Sequence, residues 1–372
     1  MKIPLPSPLR RPFSWFRVYL ILLGAACLWP FNFFQKNGVV RSAGELEFTN
    51  PGTAFTTTRL PLGDPEGPFT LVVRLTPRRP VEPAWIAHFG RNLASYNLLV
   101  GQFSGQFLVD IRTGGTQRRA RVFLPGQVRP DTTAWLAVVY NGKVLEVFLN
   151  GVRKGSTPAH IERGAWDMSS PLVLGSHANG KFPWNGRIGA FAWFDRVLAE
   201  DDLRRPEDLL RAGHPLVRYD FAASTGAAVP DRGASDGPAP LVIPDRYRPV
   251  LPSPLVPPQD YWQRGPLYRD MTANVVLFLP FGVLLAVMLR RRMTPGATVL
   301  LVLCASALLS ASIEVLQAFL PVRWSSLTDL LTNTAGGVLG AVAVVRGWIA
   351  ALFQAMRLSF RGDPAPPETP AP

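Results

Sequence analysis

The chain has 372 residues, enough for two or three structural units at about 150 residues each. Its 39 Lys and Arg against 26 Asp and Glu give a net charge of +13, yet only 17% of residues are charged and 47% are hydrophobic, which excludes a disordered or fibrous chain. Two cysteines, Cys27 and Cys304, exclude a disulfide scaffold and a zinc ribbon, and His88, His160, His177 and His214 lack metal-ligand spacing.

Residues 18–35 carry no charge and follow Lys2, Arg10, Arg11 and Arg17. An α-helix rises 1.5 Å per residue, so about 20 apolar residues cross a hydrocarbon core of roughly 30 Å. The run predicts a membrane-spanning helix over 15–34, after a short N-terminal segment, 1–14. Basic residues before an apolar run also open cleaved signal peptides, and Gly24-Ala25-Ala26-Cys27 resembles a lipoprotein box without its usual Leu. The run continues past that box through Trp29, Pro30, Phe31, Phe33 and Phe34, as a retained helix does.

From residue 36 to residue 270 the pattern changes to short strands and turns. Residues 69–75 are rich in β-formers between Pro68 and Pro77, and 96–100, 106–111 and 119–124 follow in kind. Residues 135–140 and 143–149 flank Asn141-Gly142, a dipeptide suited to the two positive-φ positions of a type I′ turn. Asn150-Gly151 marks the next turn. Such repeats predict an all-β jelly-roll sandwich, over 40–205. Residues 206–262 are rich in proline (Pro230, Pro238, Pro240, Pro244, Pro249, Pro252, Pro254, Pro257, Pro258) and predict a stiff tether.

The hairpin of residues 135–152 resembles the core hairpin of concanavalin A-like, or laminin G-like, jelly rolls, and residues 171–176 and 184–200 resemble that family's closing strands and short helix. Asp220-Phe221, Gly226 and Asp231-Arg232-Gly233 resemble its first strand and turn, placed after the domain; 216–244 either completes the sandwich or forms a degenerate second copy. The resemblance implies a fold that serves sugar binding, glycoside hydrolysis or protein contact. Hydrolysis needs two carboxylates roughly 5–10 Å apart. The glucanase pattern E-x-D-x-x-E is missing, and Glu45 and Glu47 alternate without a third carboxylate in place. Trp85, Tyr96, Trp184 and Trp193 are candidates to stack on sugar rings, against the plainer role of core aromatics. The family includes calcium binders, but no Asp or Asn cluster here has the spacing of such a site.

Three further apolar stretches predict helices over 271–289, 298–320 and 326–345; Glu314 and Asp329 are the ionisable residues inside them. Lys and Arg near helix ends set orientation. Lys2, Arg10, Arg11, Arg17, Arg290, Arg291, Arg292, Arg346, Arg357 and Arg361 fall on one side, and only Lys36, Arg41, Arg264, Arg269 and Arg323 on the other. Both termini, including the tail 346–372, are therefore expected in the cytoplasm, and 36–270 outside. The positive charge marks a topology, not a nucleic-acid partner. The predicted architecture is a four-helix transmembrane bundle with an extracytoplasmic sandwich between its first and second helices.

Polar residues inside these helices fall into pairs that share a helix face: Asp270 and Asn274 at i, i+4, Glu314 and Gln317 at i, i+3, Asp329 and Asn333 at i, i+4. With Arg323 in the connecting loop, the topology brings all seven to one depth, in the outer leaflet. A charge there costs about 2.5 kcal/mol or more unless paired or wetted. The cluster is thus either a ligand pocket or a structural clamp in which Arg323 pairs with Glu314. Gly282, Gly336 and Gly340 permit close helix approach.

This constellation, with Phe278-x-Pro280-Phe281-Gly282 and Pro30-Phe31, closely resembles VanZ-like membrane proteins. It departs from them in the long segment between the first two helices. The resemblance implies a bacterial cytoplasmic (inner) membrane protein, in a family with one member linked to low-level teicoplanin resistance, and it implies no cofactor. Three functions follow. An envelope protein would bind a glycan or protein outside and a lipid-like or amphiphilic molecule, such as a lipid-linked precursor, in the membrane. A membrane enzyme would use Glu314 or Asp329 for acid–base work, though no nucleophile–base pair, metal cluster or phosphate loop accompanies them. A small-amphiphile transporter would need a homo-oligomer, because four spans make a minimal bundle. The first accounts for both halves of the chain.

Overall fold

A computed structural model describes residues 12–359 apart from 34, 50, 65, 91–95, 116–117, 179, 223–225, 235–237, 248–254, 256–266, 321–322 and 324. The N-terminal segment up to residue 11, the end of the proline-rich stretch and the tail beyond residue 359 lie outside the described residues. The chain forms two compact units, one helical and one built on residues 32–253.

Helix α1 (Pro12–Leu28) ends six residues before the predicted limit of 34. Pro30 disfavours helical backbone at Trp29, whose N–H closes the last turn on Ala25 O, and Phe31 turns out at φ 60°.

The sandwich has two antiparallel sheets of eight strands. The first contains β1 (Val39–Ser42), β2 (Glu45–Phe48), β4 (Phe69–Pro77), β9 (Ala134–Tyr140), β10 (Val144–Leu149), β11 (Val152–Pro158), β13 (Gly186–Phe194) and β14 (Val217–Tyr219). Its order is β1-β2-β13-β4-β9-β10-β11, with β14 beside β13. The second contains β3 (Ala54–Thr56), β5 (Ala84–Gly90), β6 (Tyr96–Phe103), β7 (Gln106–Arg112), β8 (Arg119–Leu124), β12 (Leu172–Leu174), β15 (Ala228–Val229) and β16 (Leu241–Val242). Its order is β15-β16-β3-β12-β5-β6-β7-β8. Leucine, valine and aromatic side chains at alternate positions meet between the sheets, with Trp193 stacked on Phe69 at 4.4 Å. Short helices α2 (Glu200–Leu203) and α3 (Pro206–Ala212) set Leu203 and Leu209 on the outer face of the first sheet, against Val139 and Phe148.

Two local expectations change. Residues 206–242 hold α3 and strands β14 to β16 instead of an extended tether, because β14 pairs with β13 and β16 with β3. The type I′ geometry falls at Asn150-Gly151 (φ 51° and 73°), where a two-residue loop joins β10 to β11. At Asn141-Gly142 only the glycine has positive φ; Asn141 Oδ1 instead accepts from the N–H groups of Lys143 and Val144, at 3.0 and 2.8 Å.

His88, on β5, is fully buried with neither ring nitrogen hydrogen-bonded, and stacks on His177 at 5.2 Å. Burial, then the charge of His177, holds its pKa well below the ordinary histidine value. Below about pH 6.5 the unfolded chain therefore binds a proton that the folded chain refuses, and stability falls as pH falls. Residues 36–247 expressed alone are expected to melt at a lower temperature at pH 5 than at pH 7.5. His88→Leu should flatten that dependence; an unchanged slope would remove His88 as its source.

The helical unit adds α4 (Leu267–Leu289), α5 (Pro295–Ala318), α6 (Leu327–Val345) and α7 (Trp348–Ser359) to α1. Three described helices are long and apolar enough to cross a membrane: Arg269–Leu289, Pro295–Ala318 and Leu327–Val345. Helix α1, with 17 residues, is shorter, about 25 Å. Its Leu23 and Cys27 pack with Phe278 and Phe281 of α4 and Ile313 of α5. Helices α4 and α6 meet backbone to backbone. A Cβ on Gly282 would land on the carbonyl of Gly337, one on Gly336 on the carbonyl of Val275, and one on Gly340 on that of Leu279. Helix α7 stands within the segment read as tail; the sequence signal for it is the amphipathic spacing of Trp348, Ile349, Leu352, Phe353 and Met356.

Candidate functional site

The helical unit concentrates its polar side chains on the buried side of α5. Thr298, Ser306, Ser310, Glu314 and Gln317 are all buried, the first four at multiples of four residues along one helix stripe. Glu314 is 1% exposed. Its Oε2 accepts the N–H of Ser326 at 2.8 Å, and the Ser325 side chain also hydrogen-bonds to it.

Ser326 is the N-cap of α6. Its hydroxyl accepts from the N–H groups of Thr328 and Asp329, at 3.1 and 3.4 Å, while its own N–H goes to Glu314. The carboxylate thus lies at the positive end of the α6 dipole, where negative charge is favoured. In the first turn of α6, Asp329 receives a hydrogen bond from the Asn274 side chain of α4, and Asp270, exposed at the start of α4, adds a second negative charge near it. Asn333, 4% exposed, donates Nδ2 to Ser310 Oγ at 3.0 Å and leaves Oδ1 buried without a partner.

Arg323 departs from the expected ion pair. Its guanidinium donates to the carbonyls of Trp29 (3.0 Å) and Ala26 (2.8 Å) at the end of α1. Those carbonyls are the unpaired acceptors every helix C-terminus leaves, and a fork of N–H donors matches them. Gln317 does the same at a carbonyl between those two, donating to Cys27 O at 2.8 Å. The seven residues therefore divide by task. Gln317 and Arg323 bind the end of α1. Asp270, Asn274, Glu314 and Asp329 gather at the junction of α4, α5 and α6, with Asn333 one turn deeper. No Lys or Arg forms an ion pair with Glu314 or Asp329 among the described residues. Nor, among these residues, is any group of three or more His, Cys, Asp or Glu placed to hold a metal ion.

Sequence reasoning missed Ser325, Ser326, Ser310 and Gly337. The Ser326-x-x-Asp329 spacing at the head of an apolar run was the available signal for the cap. Gly337 was hidden beside the Gly336-x-x-x-Gly340 pattern.

In the sandwich, Trp184 and Trp193 are fully buried, with their N–H groups on Gln102 Oε1 and Leu62 O, each at 3.0 Å. Tyr96 is 7% exposed and donates to Asp110. These three are core residues and not stacking platforms. Trp85 alone of the four candidates keeps a half-buried ring, edge-on to His88, Tyr96 and His177.

Three apolar helices carrying carboxylates and an all-β sandwich in the same chain define a membrane protein with a β-sandwich domain. Residues 242–351 match the VanZ/LLP1 family, and residues 49–204 match the concanavalin A-like lectin/glucanases superfamily. The chain thus combines a VanZ-like membrane region with a concanavalin A-like domain. The chain is 36% identical over 74 residues to protein VanZ of Enterococcus faecium, which is 20% of this chain and 42% of that protein's length. Similar solved structures include a heptameric SAP-like pentraxin from Limulus polyphemus, at 13% identity and TM-score 0.33, covering 46% of this chain and 79% of that one. Another is the sialidase CBM40 of Ruminococcus gnavus bound to α2,3-sialyllactose, at 12% identity and TM-score 0.32, covering 44% and 96%.

Proposed function

We propose that this chain is a multi-pass protein of the bacterial cytoplasmic membrane, with α1, α4, α5 and α6 as its spans. In this arrangement both termini are cytoplasmic and the sandwich is an extracytoplasmic insertion between the first two spans. It acts at the cell envelope: the sandwich binds a glycan or protein, and the junction of α4, α5 and α6 holds a lipid-like or amphiphilic ligand in the outer leaflet. Part of this reading is a contribution to tolerance of teicoplanin-like glycopeptides, which the likeness to VanZ supports.

The observation that carries the ligand site is the gathering of Glu314, Asp329 and Asp270 without a basic partner among the described residues. A carboxylate held against an α6 N–H, with no cation to neutralise it, is suited to a ligand that brings hydrogen-bond donors or positive charge. The arginine that would have closed a structural clamp is engaged with α1 instead.

Glu314→Gln keeps an oxygen for the Ser326 N–H and removes the charge. Native mass spectrometry of the detergent-extracted proteins is expected to show the variant at wild-type abundance but without the amphiphile that the wild type should retain. Wild-type ligand retention at equal abundance would take Glu314 out of the site.

A further inference from the structure

Helix α6 has 19 residues, a length of about 29 Å, so as a span it uses the whole hydrocarbon thickness of roughly 30 Å. The helix that follows it lies outside that layer or along its edge. Gly347, at φ 78°, makes the turn: its N–H meets Val344 O, and its carbonyl accepts the N–H of Ala351 in the first turn of α7. A left-handed glycine ends one helix and lets the next leave in a new direction.

The apolar side of α7 is wider than the bundle covers. Ile349 packs against the cluster of Ala286, Val287, Val302, Ala341 and Val344. Trp348 and Leu352, at i, i+4 on one face, stay 61% and 56% exposed, and Gln354 is exposed on the opposite face. The charge at this end is of one sign. Helices α4 and α6 run in the same direction, since Gly336 meets Val275 near their starts and Val344 packs with Val287 near their ends. Arg290, Arg291 and Arg292 follow α4 directly and Arg346 is the C-cap of α6, so four guanidinium groups share one end of the helix pair with α7. None of the four has an ion pair among the described residues. Arg357 adds a fifth cation in the sequence of α7. Between residues 281 and 359 the carboxylates are Glu314 and Asp329, and both gather at the opposite end of α6.

We propose that α7 lies in the bilayer interface and, with Arg290, Arg291, Arg292 and Arg346, docks on anionic phospholipid. Trp348 and Leu352 enter the edge of the hydrocarbon, where an indole is favoured, and the guanidinium groups take the phosphates of neighbouring headgroups. The docking rests on the reading of α4, α5 and α6 as spans, and not on the carboxylate junction at their other end.

The test uses the full chain in vesicles of phosphatidylglycerol and phosphatidylcholine, with Cys27→Ala and Cys304→Ala in the background and one nitroxide label at a time. The labelled variants are Leu352→Cys, Gln354→Cys and, as a control on the spans, Leu308→Cys, since Leu308 is 71% exposed midway along α5. Leu352→Cys should favour dissolved oxygen and Gln354→Cys a water-soluble nickel chelate. Equal chelate access at both, or shielding of Leu352→Cys from both reagents as a protein partner would give, overturns the docking. Chelate access at Leu308→Cys overturns the spans and the docking with them. In detergent, native mass spectrometry should show phosphatidylglycerol retained over phosphatidylcholine. That preference should fall roughly tenfold in the Arg291→Gln, Arg346→Gln double variant and survive in Arg291→Lys, Arg346→Lys. Equal retention of the two lipids by the wild type, or a preference that ignores both arginines, also overturns the docking.

Discussion

Gly282→Val is expected to unfold the helical unit, whereas Gly24→Ala, also inside an apolar helix, should leave it intact or firmer. The two glycines differ in what a side chain would meet. At Gly282 the added carbon falls on the backbone carbonyl of Gly337, and a backbone cannot rotate aside as a side chain does. Helices α4 and α6 would have to separate, which also withdraws Gly336 from Val275 and Gly340 from Leu279. Overpacking commonly costs 1–3 kcal/mol; with backbone on both sides the expected loss is about 3 kcal/mol or more. At Gly24 no heavy atom lies within 4 Å. There alanine gains up to about 1 kcal/mol of helix propensity. Thermal unfolding in detergent compares the two directly. A Gly282→Val protein that melts with the wild type would show that α4 and α6 do not touch through their backbones.

The second large effect belongs to the sandwich. Asp110, on β7, accepts Arg119 Nε at 2.5 Å, Arg121 Nε at 2.7 Å and the Tyr96 hydroxyl at 2.9 Å. The carboxylate is 2% exposed and Arg119 7%, whereas Arg121 is 54% exposed. Asp110→Ala leaves the buried Arg119 charge uncompensated, with only the Tyr96 carbonyl at 3.3 Å and the Tyr96 ring centre at 3.6 Å beside it. Breaking a buried pair from one side typically costs about 3–5 kcal/mol. Arg121→Gln removes a partner that water replaces, at about 0–1 kcal/mol. Denaturant unfolding should therefore separate the two variants by at least about 2 kcal/mol. Equal losses would mean that the Tyr96 carbonyl or water suffices to hold the Arg119 charge.

Both effects depend on contacts that sequence shows unequally. The strands were legible because alternation and turn residues are local: Phe69, Leu71, Val73 and Leu75 mark one face of β4 without knowledge of its neighbours. The apolar helices were legible because length and lack of charge are properties of a window. Gly282, Gly336 and Gly340 were marked as packing positions by their spacing, yet that Gly337 receives Gly282 depends on the rotation of two helices about their axes. Arg323 shows the same limit. Its position between α5 and α6 pointed to Glu314 as its partner, but the free carbonyls at the end of α1, nearly 300 residues away in sequence, compete for the same fork and win. At Asn141-Gly142 the dipeptide was right for a hairpin and wrong for the turn type, since the Asn side chain caps its own turn and removes the need for positive φ. Trp85, Tyr96, Trp184 and Trp193 look alike in sequence, and only the tertiary surroundings of each ring separate an indole in the core from one that reaches the surface.

The bridge between Lys36 and Arg246 is extended on both sides, by the Asn37 N–H on Asp245 O and the Tyr247 N–H on Gln35 O. The segments that enter and leave the sandwich unit are thus zipped together, and its two ends stand about 5 Å apart, as neighbouring antiparallel strands do. To whatever chain carries it, a body of some 200 residues has the footprint of a hairpin. Such a module is portable. A single genetic event can add it to a short loop, remove it or exchange it for another binding head, without asking the host helices to change length or register.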